Sequence, residues 1–127
     1  MNPFPEPLHF DNAGFHNGSR LLVVTRRFVC LTSFGRIVVP RGTVIDGASI
    51  PSCAWSIIGH PFDCFLEDCT LHDFLYSPYN AEFTRYEADT ILKETMWNRD
   101  IHWFKREALY RAVRLFGWSA FKGNLNA

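Results

Sequence analysis

The hydrophobic pattern changes near residue 50, and this change constrains the fold more than any other feature of the sequence. Before it lie four runs rich in β-branched and aromatic residues, which are typical of strands: LLVVT (21–25), FVCLT (28–32), RIVVP (36–40) and TVID (43–46). Only the tripeptide SFG separates the second run from the third, so Phe28–Val39 is predicted to form a hairpin. After Pro51 no strong strand signal remains, and apolar residues recur at helical spacing.

Three longer helices are predicted in the second half of the chain, over about residues 61–76, 84–98 and 103–116. Pro61 suits a first helical position, and Thr84 with Glu87 three positions later forms a capping-box pattern. A shorter helix that opens near residue 51 is predicted to carry Trp55. A β-rich part followed by helices predicts an α+β fold, with an antiparallel hairpin or small sheet packed on a bundle of about three helices.

The length of 127 residues predicts a single domain. Within it we expect an irregular arm over residues 1–19, a β-rich part over 20–50 and a helical part over 51–127. The arm contains prolines, asparagines and glycines, which favour irregular structure. Its apolar residues are expected to pack on the rest of the domain: Phe4, Leu8, Phe10 and Phe15.

Charge and hydropathy exclude some classes of function. Thirteen basic and thirteen acidic residues cancel, so broad electrostatic binding to nucleic acid is not expected. The basic residues of the third helix are accordingly interpreted as a solvated face: Lys105, Arg106, Arg111 and Arg114. No run approaches the roughly 20 apolar residues of a membrane span, so no transmembrane segment is expected. With no leader pattern at the start, we expect synthesis and retention in the cytoplasm, with the cysteines as reduced thiols.

Two polar residues on inward helix faces are the main candidates for chemistry. His72 shares an apolar stripe with Tyr76, and Asp89 lies at the edge of the apolar stripe of the next helix. If these helices pack antiparallel, the Asp89 carboxylate can meet the His72 imidazole, fix its tautomer and raise its basicity. Asp73 points about 100° away from His72 and would be able to hold a cation or a substrate. The alternative is that His72 is a core histidine satisfied by one hydrogen bond.

A second group of candidates precedes this pair, in the stretch VIDGASIPSCAW (44–55). Asp46 or Ser49 could point into the same pocket as His72, with Trp55 and Arg85 as further pocket residues. The alternative is a strand-to-helix corner in which Asp46 or Ser49 caps the turn. The sequence ASIPS does not match the G-x-S-x-G nucleophile elbow, so it gives little support for a nucleophilic Ser49.

Over about residues 36–118 the sequence resembles a family of small proteins of unknown function found mostly in tailed phages and prophages. The resemblance rests on V-x-D-G-A-S-I-P with a following tryptophan, then H-D-F-L-Y, R-x-x-x-D and A-L-Y-R-A-V-R-x-x-G-W, in this order. It implies a phage or prophage origin. The residues at signature positions are Asp46, Ala48, Ser49, Pro51, Trp55, His72, Asp73, Tyr76, Arg85 and Asp89.

The stretch around HDFLY is also similar to the active-site helix of phospholipase A2 enzymes. There a cysteine lies three residues before the His-Asp pair and a tyrosine lies four after the histidine, as Cys69 and Tyr76 do here. The resemblance implies that His72 is a general base that activates a water. It further implies that Asp89 orients His72, that Tyr76 supports Asp89 and that Asp73 binds calcium. The glycine-rich calcium loop of the animal enzymes is absent before Cys69.

Three functions stay open at this level. The first is a phage-encoded hydrolase of the bacterial envelope, used when the phage enters or lyses its host, with His72 as general base. The second is a non-catalytic virion structural or assembly protein, such as a tail or head–tail component, which uses its 16% aromatic residues to bind other phage structural proteins. The third is an intracellular factor that binds a host or defence protein. The host cytoplasm is the expected site of synthesis, and the second function adds incorporation into the virion.

Overall fold

A computed structural model describes residues 2–16, 19–46 and 65–123. Small antiparallel sheets precede three helices, so the prediction of an α+β fold is confirmed. The strands are β1 (Phe10–His16), β2 (Ser19–Val24), β3 (Phe28–Thr32), β4 (Gly35–Val39) and β5 (Val44–Ile45). The helices are α1 (Leu66–Tyr76), α2 (Arg85–Asn98) and α3 (Trp103–Phe116), followed by a 3₁₀ turn over Gly117–Ser119. The predicted short helix, Ser49 and Trp55 lie outside the described residues.

The predicted hairpin is present as the antiparallel pair β3–β4, in which Phe28 pairs with Val39. Gly35 has a φ of +106° at its turn, a conformation that glycine adopts without steric cost. The other strands form a three-stranded antiparallel sheet in the order β1-β2-β5. Each sheet contributes apolar side chains to the core, so the β-rich part forms one layer beside the helices.

Strand β1 lies in the segment that was predicted to be an irregular arm. All seven of its residues are exposed, so the pairing with β2, and not burial, holds it in place. The prediction that Phe10 and Phe15 pack on the domain was wrong, because their side chains are 41% and 75% exposed. Phe4 is buried and Leu8 is partly buried against the core, as expected.

Most apolar residues of α1 and α2 are buried. Helix α2 begins with the predicted capping box, in which Thr84 and Glu87 each bind the other's backbone N–H. The apolar spacing of α3 predicts that Leu109, Val113 and Phe116 face inward. Leu109 and Val113 are buried, whereas Phe116 is 54% exposed, so the prediction for Phe116 was wrong. The last turn of α3 leaves Phe116 outside the contact that Val113 makes with the core. In the ranges that the structure describes, no helix is long and apolar enough to cross a bilayer.

Candidate functional site

The three helices meet at the carboxylate of Asp89. His72 Nε2 donates to Asp89 Oδ1 at 2.8 Å, and the Tyr76 hydroxyl donates to the same oxygen at 2.6 Å. The other oxygen, Oδ2, accepts from Arg114 Nη1 at 2.8 Å and lies 3.6 Å from Arg85 Nη1. These five residues are called the Asp89 cluster below. The contact between His72 and Asp89 that helical spacing predicted is therefore present.

The positions of these side chains follow from helix geometry. His72 and Tyr76 lie four residues apart on α1, and their ring centroids are 4.2 Å apart. Arg85 and Asp89 have the same spacing on α2. Arg85 also donates to the backbone oxygens of Val113 and Arg114, at 3.0 and 3.4 Å, and so satisfies carbonyls in the last turn of α3. The cluster therefore joins all three helices.

Burial and hydrogen bonding act in opposite directions on Asp89. Its side chain is fully buried, which opposes ionisation, but hydrogen bonds from His72, Tyr76 and Arg114 outweigh this effect and lower the pKa of the carboxyl. For Tyr76, burial and then the Asp89 charge raise the pKa of the phenol, which stays a proton donor. The site therefore holds an ionised aspartate whose charge is offset by arginines.

Gly117 allows the chain to approach Tyr76 closely. A methyl group at Gly117 would lie 2.8 Å from the Tyr76 hydroxyl oxygen, too close for an ordinary contact. Phe121 meets the other side of the Tyr76 ring edge to face, with 5.2 Å between the ring centroids. Tyr76 is thus confined on two sides and held in place for its bond to Asp89.

An open pocket of about 340 Å³ lies beside the cluster and is called the Asp73 pocket below. Its lining residues are Leu21, Val44, Asp46, Asp73, Tyr76, Ser77, Ala120 and Lys122. Asp46 and Asp73 both line this pocket, and Tyr76 belongs to both the pocket and the cluster. His72, with 1% of its surface exposed, is not among the lining residues.

The remaining predicted residues have different outcomes. Arg85, predicted to line a pocket, lies in the Asp89 cluster and contacts the end of α3. Ser49 and Trp55 lie outside the described residues.

Cys69 is not suited to nucleophilic chemistry, and the described residues form no metal-binding group beside it. Burial, followed by the charges of nearby aspartates that include Asp73 and Asp46, raises the pKa of Cys69, so this thiol is a poor nucleophile. Among the described residues no group of three or more His, Cys, Asp or Glu could hold a metal ion, and calcium binding by Asp73 stays a prediction.

Arg114 is a residue of the cluster that the sequence analysis assigned incorrectly. It was interpreted as part of a solvated helix face, but it donates to the buried Asp89 carboxylate. Its side chain is 30% exposed, so it is partly buried although its helix position was interpreted as solvated. The sequence indicated this role of Arg114 only indirectly. A carboxylate on an apolar stripe requires a cation, and α3 carries basic residues at its end.

A second buried aspartate, which the sequence analysis missed, lies elsewhere between α1 and α2. Asp68 Oδ1 accepts from the Thr95 hydroxyl at 2.7 Å, and Asp68 Oδ2 is paired with the Arg99 guanidinium. Arg99 also lies 3.5 Å from Glu67. These four residues are called the Asp68 cluster below. Burial raises the pKa of Asp68 to about 6, although Arg99 and Thr95 act to lower it.

Comparison with known proteins places the chain in a family. Residues 22–113 match the family described as "Protein of unknown function (DUF1353)". The chain belongs to this family. The matched range of DUF1353 contains Asp46, Asp73 and four members of the Asp89 cluster, and Arg114 follows it directly.

A much longer curated protein is also similar to this chain. It is the "Uncharacterized protein y4jT" of Sinorhizobium fredii, 35% identical over 80 residues. The alignment covers 62% of this chain and 23% of the relative, so the DUF1353 chain corresponds to less than a quarter of that protein. No solved structure matches the chain.

Proposed function

We propose that this DUF1353 chain is a non-catalytic structural or assembly protein of a phage or prophage particle. The observation that carries the proposal is an apolar surface on α3 and the turn that follows it, called the α3 face below. Its members are Trp103, Phe104, Leu115, Phe116 and Trp118, each 50–70% exposed. Exposed apolar patches of this kind mark sites of association, and aromatic residues are enriched at protein interfaces.

Two members of the α3 face, Phe104 and Leu115, lie opposite the buried side of the helix. Phe104 and Leu115 are eleven residues apart and so point in nearly the same direction, away from the buried Leu109 and Val113. Burying them requires a second surface, because the inner side of α3 is already occupied by the core. Lys105 is exposed beside this face, as is Arg111. We therefore propose a protein partner with an apolar centre and an acidic rim.

The Asp89 cluster supports a non-catalytic role. A general base must come within hydrogen-bond reach of the proton that it removes, yet His72 is buried, with 1% of its surface exposed. Arg114 and Arg85 offset the charge with which Asp89 would polarise the imidazole. A fully satisfied buried network of this kind fixes the register of three helices.

The proposal is tested by mass spectrometry of purified particles from a host that carries this gene. We expect the wild-type protein in particles or assembly intermediates and a several-fold loss for Leu115→Ser. The matched control is Phe15→Ser, which removes an exposed apolar residue from β1 and is expected to leave incorporation unchanged. Absence of the wild-type protein from particles and intermediates would overturn the proposal, as would α3-dependent binding to anionic vesicles without any association with particles.

A second candidate function, the envelope hydrolase, is favoured by the Asp73 pocket. Asp46 and Asp73 line open space, and Tyr76 connects that space to the Asp89 cluster, which contains the general base implied by the phospholipase resemblance.

The test of the hydrolase function incubates phospholipid vesicles and peptidoglycan with the wild type, with His72→Gln and with Asp73→Asn, with and without calcium. Asp100→Asn, the same chemical change at an exposed turn, is the control. Activity that both site variants lose and the control retains would establish the hydrolase, and an inactive wild type would exclude it for these substrates.

A further inference from the structure

A basic pocket of about 870 Å³ lies in the β-rich part of the chain, away from the Asp89 cluster. Three segments build it: the stretch before β1, the connection between β2 and β3, and the turn between β4 and β5. Its lining residues are Glu6, Pro7, His9, Thr25, Arg26, Arg27 and Arg41. Residues distant in sequence therefore bring three guanidinium groups to one opening.

The charge of this pocket differs from that of the whole chain. The chain is neutral, with thirteen basic and thirteen acidic residues, whereas the pocket has three arginines and one carboxylate, that of Glu6. Among the described residues, none of these three arginines forms an ion pair. Their positive charge is thus available to a ligand, in contrast to that of Arg85, Arg99 and Arg114, which is used inside the fold.

Backbone hydrogen bonds fix the segments that carry the arginines. Thr25 N–H donates to the carbonyl of His9 at 2.9 Å, which holds the β2–β3 connection against the segment before β1. Gly42 N–H donates to the carbonyl of Val24 at 2.7 Å, and Gly42 has a φ of +92° that few other residues adopt. The bases of the arginine side chains are therefore positioned before a ligand binds, which lowers the entropy cost of binding.

Side-chain contacts within the pocket also favour an anion. Arg26 Nη1 lies 3.4 Å from His9 Nε2, and because a guanidinium can only donate, the imidazole accepts at this nitrogen. The Arg26 guanidinium carries further N–H donors beyond the one that faces His9, and Thr25 also lines the pocket. Among the residues that the structure describes, no Phe, Tyr or Trp lines the pocket, so these residues offer no ring on which a nucleobase could stack.

We infer that the basic pocket binds the phosphate group of a small phosphorylated ligand. The planar guanidinium fork matches phosphate oxygens with paired hydrogen bonds, and several arginines around one opening suit an anion that carries more than one charge. A nucleic-acid backbone is less well matched, because the chain as a whole carries no net charge. The phosphate could belong to a soluble compound or to a lipid headgroup, and the experiment separates the two.

The test is isothermal titration of the full chain with inorganic pyrophosphate at low ionic strength. We expect saturable binding by the wild type, weakened about tenfold in Arg26→Gln and in Arg41→Gln, since each loses a charged hydrogen-bond donor. Arg111→Gln, which removes the same charge from an exposed position on α3, is the matched control and should bind like the wild type. If Arg111→Gln weakens pyrophosphate binding equally, net charge alone explains the effect and the inference is overturned.

A parallel experiment uses vesicles that contain phosphatidylglycerol. Vesicle binding that depends on Arg26 and Arg41, together with weak binding of pyrophosphate, assigns the pocket to a lipid phosphate. If neither pyrophosphate nor the vesicles bind, the inference is overturned. It is also overturned if duplex DNA binds more tightly than pyrophosphate and this binding requires Arg26 and Arg41. All three arginines of the pocket are exposed, so a shared melting temperature for wild type and variants shows that the fold is intact.

Discussion

The Asp89 cluster and the Asp68 cluster lie in the same interface between α1 and α2, yet their aspartates ionise differently. Both side chains are buried. The pKa of Asp89 is lowered, because donors from His72, Tyr76 and Arg114 outweigh its burial. The pKa of Asp68 is raised to about 6, because burial outweighs the contributions of Arg99 and Thr95, and the nearby Glu67 charge adds to the increase.

The difference shows that burial alone does not determine how a buried carboxylate affects stability. Asp89 receives donors on both oxygens, from α1 and α3, so its ionised form is the favoured one. Asp68 has a hydroxyl and one guanidinium, which leaves part of the desolvation cost uncompensated. We therefore expect the two aspartates to respond in opposite directions to pH and unequally to substitution.

The largest effect is expected for Asp89→Asn. The substitution keeps the shape but removes the charge that Arg114 and Arg85 face in a partly buried site. Breaking a buried ion pair in this way costs about 3–5 kcal/mol of unfolding free energy. Urea denaturation at neutral pH measures this loss of unfolding free energy, with Asp68→Asn as the paired variant. Equal losses in the two variants would contradict the difference between the Asp89 cluster and the Asp68 cluster.

A smaller loss is expected for Tyr76→Phe, which removes the 2.6 Å hydrogen bond to Asp89 and little packing volume. Hydrogen bonds to charged groups contribute about 1.5–3 kcal/mol. The same denaturation experiment measures the change. Within the comparison, Thr95→Val removes the corresponding hydroxyl from Asp68 and is the control. A larger loss for Thr95→Val than for Tyr76→Phe would contradict the assignment of Asp89 as the better satisfied group.

Gly117→Ala is expected to destabilise the protein by about 1–3 kcal/mol, as overpacking does. The added methyl group would lie 2.8 Å from the Tyr76 hydroxyl oxygen, which the bond to Asp89 holds in place. The cost should therefore fall when the hydroxyl is absent. A double-mutant cycle of Gly117→Ala with Tyr76→Phe measures this coupling. Additive effects would show that the hydroxyl does not determine the clash.

The last prediction concerns the dependence of stability on pH, whose sign differs between the two aspartates. Because the pKa of Asp68 is raised from its unfolded value to about 6, the folded state binds the proton more tightly. Stability from this group is present below about pH 4 and is lost as pH rises to about 6. Asp89, with a lowered pKa, contributes stability that is present above about pH 4 and lost in stronger acid. Denaturation midpoints of the wild type and Asp68→Asn across this range test both signs, and parallel curves between pH 4 and 6 would contradict the account of Asp68.

The local features of the fold were predictable because neighbouring residues determine them. β-branched runs around a short turn gave the β3–β4 hairpin, and Thr84 with Glu87 gave the start of α2. Helical spacing also placed His72 and Asp89 on facing surfaces, and the contact follows once α1 and α2 pack. These predictions required only the periodicity of one element at a time.

Features that depend on how elements pack were not predictable in this way. Arg114 reaches Asp89 only because the last turn of α3 packs beside the start of α2, and no periodicity within α3 encodes that contact. Strand β1 forms by pairing with β2, although its own exposed residues lack a buried face. Phe116 continues the apolar spacing of α3 but lies beyond the core surface, which ends near Val113.

The closed state of the Asp89 cluster is the central claim, and the reactivity of its histidine tests it most directly. Native protein is treated with diethyl pyrocarbonate, and modification of each histidine is followed by peptide mass spectrometry. We predict that the exposed His9, His16 and His102 react first and that His72 reacts only when the protein unfolds. Modification of His72 in the native protein at the rate of His102 would contradict the account and favour an accessible catalytic base.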